Sequence, residues 1–290
     1  MATSRERYRA ARDARMAELT GRPTYHRTLG LCTVPGLAVA VIGIFTAPLL
    51  IVVGLVGTLA GPLIYYVVLR AQASSAAKDQ VMHQWAQEHG LEYQSSPPLP
   101  TDVAFCRDKE RMEASDGFSG LMCDVPGLIF NFTYSTFETR TTTDGQGHTT
   151  TYTEEVKHRH TVLRLEVGAV AGVDTVQLAD RGIGFLNKLA AAFGPSRQVE
   201  TESVEFNKRF SLMVNDGADQ ATVLRIFTPA LLVRLINNEF PQTTFQYERG
   251  SLAYVWEDQY DVEDLEEIEG RVASVEPLTA ALRTAVAALH

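Results

Sequence analysis

The sequence predicts an α+β protein: a two-helix transmembrane hairpin, then a cytosolic domain with an antiparallel sheet and a C-terminal helix. Three observations carry that expectation. Residues 29–69 form a run of 41 with no charge and no Asn, Gln, His or Ser. Residues 128–141 and 149–167 are dense in aromatic and β-branched side chains, on either side of a turn with two glycines. From Val262 onward, Leu265, Ile268, Val272, Val275, Leu278 and Leu282 keep a helical apolar stripe.

Residues 1–28 read as a basic cytoplasmic tail, with seven arginines against Glu6, Asp13 and Glu18. Residues 29–70 read as the transmembrane hairpin. As one helix the uncharged run would measure roughly 62 Å, twice the roughly 30 Å hydrocarbon core of a bilayer. Thr46-Ala47-Pro48 is therefore expected to turn the chain, because proline suits the first position of a new helix. Basic residues on both flanks, Arg70 and Lys78 on the far side, place both termini in the cytoplasm and the chain in the inner membrane. A secretory signal is disfavoured by the long charged lead and by the lack of a small-residue cleavage site.

Within the spans, Gly54, Gly57 and Gly61 make a small-residue face, and Gly36, Ala40 and Gly43 make another. Such faces let helix backbones approach closely. Packing of the two helices on each other is the favoured use, with homo-oligomerisation through the same faces as the sharper alternative. No ionisable group lies in the run, which argues against an ion or proton path.

Residues 71–100 read as a stalk helix, with Ala77, Val81 and Trp85 on one stripe, and a linker ending in Ser95-Ser96-Pro97-Pro98-Leu99-Pro100. Residues 101–290 read as the cytosolic α+β domain. The two β-rich segments make a long antiparallel hairpin with a threonine-rich tip across Thr143 to His148. Asp174 to Leu178 adds a strand, Ile183 to Phe193 a short amphipathic helix, and Glu205 to Val214 another strand. Gln220 to Phe227 suits helix or strand. Thr228-Pro229 starts a helix, with threonine as cap and proline in the first turn. Phe245 to Tyr247 and Leu252 to Trp256 pair across Arg249-Gly250-Ser251. The last helix is expected to be capped by Asp261 and to kink or restart at Pro277.

Charge is divided along the chain. The whole carries −9, and beyond the arginine-rich tail 19 basic residues face 32 acidic ones. An acidic bulk is repelled by nucleic acid, so no nucleic-acid partner is expected. Cys32, Cys106 and Cys123 lack a CxxC pair and are expected as free thiols.

Glu202 to Phe210, the Asp-containing turn at Asp216 to Asp219, and Leu224 to Leu232 resemble an uncharacterised family of bacterial membrane proteins, a domain of unknown function. The resemblance implies two N-terminal transmembrane helices with an α+β cytosolic domain. It supplies no catalytic residues; Phe206, Arg209 and Phe210 carry most of it.

Candidate sites are few. His158 and His160 share a strand face and, with Glu154 or Glu155, could offer zinc its usual imidazole and carboxylate ligands. The bland reading is the solvent face of a hairpin strand, since no HExxH or CxxC framework accompanies them. Gly182-Ile183-Gly184 ending at Asn187 is a weak echo of a dinucleotide turn and is better read as a turn before a packed helix. Asp261, Glu263, Asp264 and Glu267, within a longer acidic cluster, could dock a basic partner, although acids also simply favour a helix start. No cofactor or resident metal is expected, and the sequence identifies no catalytic residue. The functional expectation is a membrane-anchored, non-enzymatic adaptor or accessory subunit whose acidic domain binds a protein or small ligand, with the lipid bilayer as its other partner. The alternative is a membrane-bound metal-dependent hydrolase using His158, His160 and nearby carboxylates.

Overall fold

The computed structural model describes residues 2–46, 48–143, 145–146, 149–182 and 196–289, with only the backbone described at 42–46, 48–52, 54 and 57. The predicted helix at Ile183 to Phe193, Gly184 and Asn187 lie outside the described residues. Two compact units emerge, one of Met1–Trp85 with Val262–Asp264 and one of Ala86–Asp261 with Leu265–His290.

The first unit holds α1 (Ser4–Gly21), α2 (Pro23–Thr46) and most of α3 (Pro48–Glu88). Thr3 and Glu6 form a reciprocal capping box that satisfies two of the orphan N–H groups at the start of α1. The uncharged run breaks between α2 and α3, and Pro48 opens the new helix as its fixed φ requires. The membrane assignment, however, is corrected. Among the described residues no helix is long and apolar enough to cross a membrane, so the two spans and the inner-membrane location are set aside. The run is divided between two helices, each with an internal proline, Pro35 or Pro62, and each continuous with polar sequence such as Tyr25-His26-Arg27 or Arg70 to Glu88. Leu31, Leu37, Leu59 and Leu63 are exposed along these helices.

Gly61 marks the close approach of α2 and α3. A Cβ built there would lie 2.8 Å from the Cys32 carbonyl oxygen and 3.2 Å from its Cβ. Gly61→Val is therefore expected to push the helices apart and cost about 1–3 kcal/mol, the usual range for overpacking. Thermal unfolding followed by helical circular dichroism checks this; an unchanged midpoint would show that the contact is not needed. Gly54 and Gly57 lie on the same helix, but their surroundings are outside the described residues.

Among the described residues the second unit is built on a nine-stranded antiparallel sheet in the order β1-β2-β3-β4-β9-β8-β5-β7-β6. Its strands are β1 (Glu92–Gln94), β2 (Glu110–Met122), β3 (Val125–Thr143), β4 (Thr149–Glu166), β5 (Thr175–Asp180), β6 (Ser196–Gln198), β7 (Phe210–Asn215), β8 (Phe245–Glu248) and β9 (Ser251–Trp256). Among the described residues the unit also holds helices α4 (Val204–Arg209), α5 (Gln220–Ile226), α6 (Pro229–Ile236) and α7 (Glu266–Ala287). The α+β class, the antiparallel sheet and the C-terminal helix stand as the sequence predicts.

The long hairpin is β3–β4, in register from Gly127↔Leu165 to Thr143↔Thr149. The tight hairpin is β8–β9, closed by Arg249 and Gly250, both at positive φ (46° and 98°), as a two-residue turn between right-twisted strands demands. Thr228 caps α6 by accepting from the Leu231 N–H, with Pro229 in the first turn. Three expectations change. Residues 204–209 are helical before the strand begins at Phe210, because Ser203 accepts from the Phe206 N–H and caps a short helix. The last helix begins at Glu266 after Leu265 with no side-chain cap, so Asp261 does not cap it. Pro277 sits inside that helix without ending it.

Strand alternation gives the sheet two apolar faces. One carries Ile129, Leu163, Val176, Leu178, Leu212 and Tyr254, all nearly inaccessible. Tyr254 joins this face to α7 through a 3.0 Å hydrogen bond with Thr279. The other face carries Phe130, Phe132, Tyr134, Val162, Ala253 and Val255, packed with Val103, Phe105 and Cys106 of the segment that leads into β2. That covering segment has no regular structure beyond a 3-10 turn at Ala104–Cys106. Side-chain latches hold it. Asp102 accepts from Arg164 Nε at 2.8 Å and from Ser251 Oγ, the Phe105 N–H donates to Gln246 Oε1 at 3.2 Å, and Arg107 pairs with Glu248 at 2.6 Å.

Candidate functional site

Where the covering segment ends and β2 begins, the second face opens into a cleft of about 610 Å³. Tyr134 and His158 line its floor, and they are the accessible end of an aromatic stack that continues into the core through His160 and Phe105. The Tyr134 ring lies between His158 (centroids 4.7 Å apart, planes at 24°) and His160 (5.6 Å, 11°). Strand register explains this arrangement, because Tyr134 is directly opposite His158 on the β3–β4 ladder and His160 follows two residues on, on the same face. Phe105 closes the stack edge-on to His160 at 5.1 Å.

Lys109 reaches over this floor, its ammonium 4.5 Å from the Tyr134 centroid and 4.9 Å from that of Phe105. Burial holds the Lys109 amine below the usual lysine range, and burial likewise pushes the Tyr134 phenol up. On the rim, His158 Nε2 lies 2.8 Å from Thr136 Oγ1. Phe137, half-exposed, carries the Arg111 guanidinium 5.0 Å from its ring centroid. Asp108, Glu110 and Glu138 make the mouth predominantly acidic around the Lys109 ammonium.

The sequence pairing of His158 with His160 on one face is thus met, but the two imidazoles serve the stack. His160 is buried, its Nδ1 3.2 Å from the Trp256 carbonyl oxygen. Glu154 turns to Arg140 at 3.0 Å, and Glu155 takes Ser135 and Arg111, each at 2.6 Å. Among the described residues no three His, Cys, Asp or Glu side chains converge as a metal would need. Lys109, Tyr134 and Phe137 were not singled out by the sequence. Only the register that sets Tyr134 against His158, with Lys109 arriving from a loop, brings them together.

The acidic candidates are engaged within the chain. Glu263 and Asp264 meet Arg5 at 3.0 and 3.9 Å. Glu267 accepts from the buried Arg271 at 2.5 Å, and Arg271 also reaches Asp258 at 2.9 Å. All three cysteines are free thiols; burial pushes the Cys123 thiol up to about 11 and that of Cys106 further still. Neither is a ready nucleophile.

Phe206 and Phe210 are both buried, their rings 5.1 Å apart. Arg209 ties the end of β5 to that of α6, donating to Asp180 at 3.1 Å and to the Ile236 carbonyl at 3.0 Å. These are framework roles. No family model and no curated protein matches the chain. The resemblance to a family of bacterial membrane proteins is accordingly corrected: buried phenylalanines and a Thr-Pro helix cap answer packing and capping needs that unrelated chains share. Among solved structures the chain is similar to the mycobacterial trehalose monomycolate transport factor A, TtfA, at 12% identity over 69% of this chain and 93% of that one, with a TM-score of 0.39. A likeness that distant transfers neither fold nor role.

Proposed function

We propose that this chain is a non-enzymatic binding protein, an adaptor or accessory subunit, that takes a segment of a protein partner in the cleft beside the β3–β4 hairpin. The observation that carries this reading is the aromatic floor, with Tyr134 held between two imidazoles and Lys109 above it, opening at the half-exposed Phe137. Aromatic side chains fixed at an open, polar-rimmed surface supply contact area at little cost in conformational entropy, which is how binding hot spots are built. The internal pairing of Glu263, Asp264 and Glu267 supports the cleft over the acidic cluster as the docking surface.

The test is crosslinked co-purification of the full-length chain, followed by affinity measurement with the recovered partner. Phe137→Ala and Lys109→Ala are each expected to weaken binding by roughly tenfold or more, the scale of a hot-spot truncation. Unchanged affinity in both variants would remove the cleft from the interface.

A further inference from the structure

The formal edges of the sheet are blunt. β1 and β6 have three residues each, and β2 is broken by register shifts at Glu110/Glu113 and Ser115/Phe118. Short strands and bulges are the usual protection of exposed edges. The outer half of β4 is different. Its pairing with β3 runs without a shift from Thr149 to Leu165, whereas β9 covers its other side only from Thr161 to Glu166. Among the described residues no strand pairs with the remaining side of residues 149–160. That leaves a straight edge roughly 40 Å long at about 3.3 Å per residue, with no proline or glycine to interrupt it.

The charges along this edge are ordered by sign. Glu154 and Glu155, which within the chain also meet Arg140 and Arg111, stand on one side of Val156, and Lys157 and Arg159 stand on the other. An antiparallel neighbour of the same sequence, centred on Val156, would set Glu155 opposite Lys157, Glu154 opposite His158 and Thr153 opposite Arg159, twice over by symmetry. Charges scattered merely to repel neighbours would not reverse sign about one residue. Opposite charges directly across a strand pair are favourable and like charges unfavourable. A two-fold axis through an antiparallel pair also requires one residue to face its own copy, and uncharged, half-buried Val156 suits that position.

We propose that residues 152–160 of β4 pair antiparallel with the same segment of a second copy of this chain, Val156 against Val156, joining two sheets into one across a two-fold axis. Charge complementarity selects a second copy as the occupant. The β3 edge offers a shorter rival, with Glu138 and Arg140 flanking Thr139.

Sedimentation of the full chain over a concentration series, with circular dichroism to confirm folding, tests this. Lys157→Glu and Glu155→Lys are each expected to weaken self-association by about tenfold. An equimolar mixture of the two variants should regain it, since the paired acids of one chain then face the paired lysines of the other. In a chain with Cys32 and Cys123 changed to serine, Val156→Cys should crosslink with a short thiol reagent. Thr153→Cys should not, being set about 20 Å from its own copy in that register. Three results would overturn the proposal: a monomer at every concentration, a dimer indifferent to both charge variants, or crosslinking through Thr139→Cys instead of Val156→Cys.

Discussion

Tyr254→Ala is expected to lower the stability of the sheet unit by about 3–5 kcal/mol, the range for removing a large aromatic side chain from a packed core. Tyr254 is fully buried on a central strand, with ring neighbours Phe245 at 6.3 Å and Trp256 at 6.4 Å. Its hydroxyl meets that of Thr279, also fully buried, on α7. Burial pushes the phenol pKa up, so it stays neutral and keeps this hydrogen bond at any working pH. Tyr254→Phe keeps the ring and loses only the hydrogen bond, at about 1–2 kcal/mol. Urea unfolding followed by the fluorescence of Trp256, two residues along the same strand, in a chain with Trp85→Phe throughout, separates the cases. Equal losses for Phe and Ala would mean that the ring itself contributes little and that the face toward α7 is loosely packed.

Asp102→Asn should cost about 2–3 kcal/mol at neutral pH, as expected for hydrogen bonds to a charged group. Asp102 joins the covering segment to two strands, accepting from Arg164 on β4 and Ser251 on β9. Burial alone would raise its pKa, but the Arg164 and Ser251 hydrogen bonds and the Arg164 charge outweigh that and hold the carboxyl below the usual aspartate range. A carboxyl whose folded pKa is depressed stabilises the fold above its unfolded pKa, about 3.9. That contribution disappears as pH falls through the lower folded value. The stability gap between wild type and Asp102→Asn should therefore be full near neutrality and close in acid. A gap that stays constant with pH would show that the carboxylate charge is not what holds the segment. Because this segment forms one wall of the cleft, the same variant should also weaken partner binding.

The two predictions bear on different layers, and the layers differ in how far sequence patterns reach them. The β3–β4 and β8–β9 hairpins, the Thr228-Pro229 helix start and the C-terminal helix are set by short-range rules: period-2 alternation, turn residues, capping and a 3.6-residue stripe. Each is local, so a window of residues contains its cause. β2 escaped the same reading because bulges and polar residues such as Glu110, Glu113 and Asp116 hide its alternation. The helix at Val204–Arg209 escaped because its aromatic residues favour strands, while Ser203 capping decided otherwise.

The amino-acid sequence by itself determined the α+β class, the paired strands of the long hairpin and the face shared by His158 and His160. Only the tertiary structure decided that these imidazoles flank Tyr134, that Lys109 lies over it, and that Glu263 and Asp264 are already paired with Arg5. It also overturned the membrane hairpin, since no helix among the described residues is long and apolar enough for a span. The physical reason is range. Periodicity and capping act over a few residues, whereas the cleft and the Arg5 ion pairs join groups tens to hundreds of residues apart, through strand register and a loop whose course no local pattern specifies.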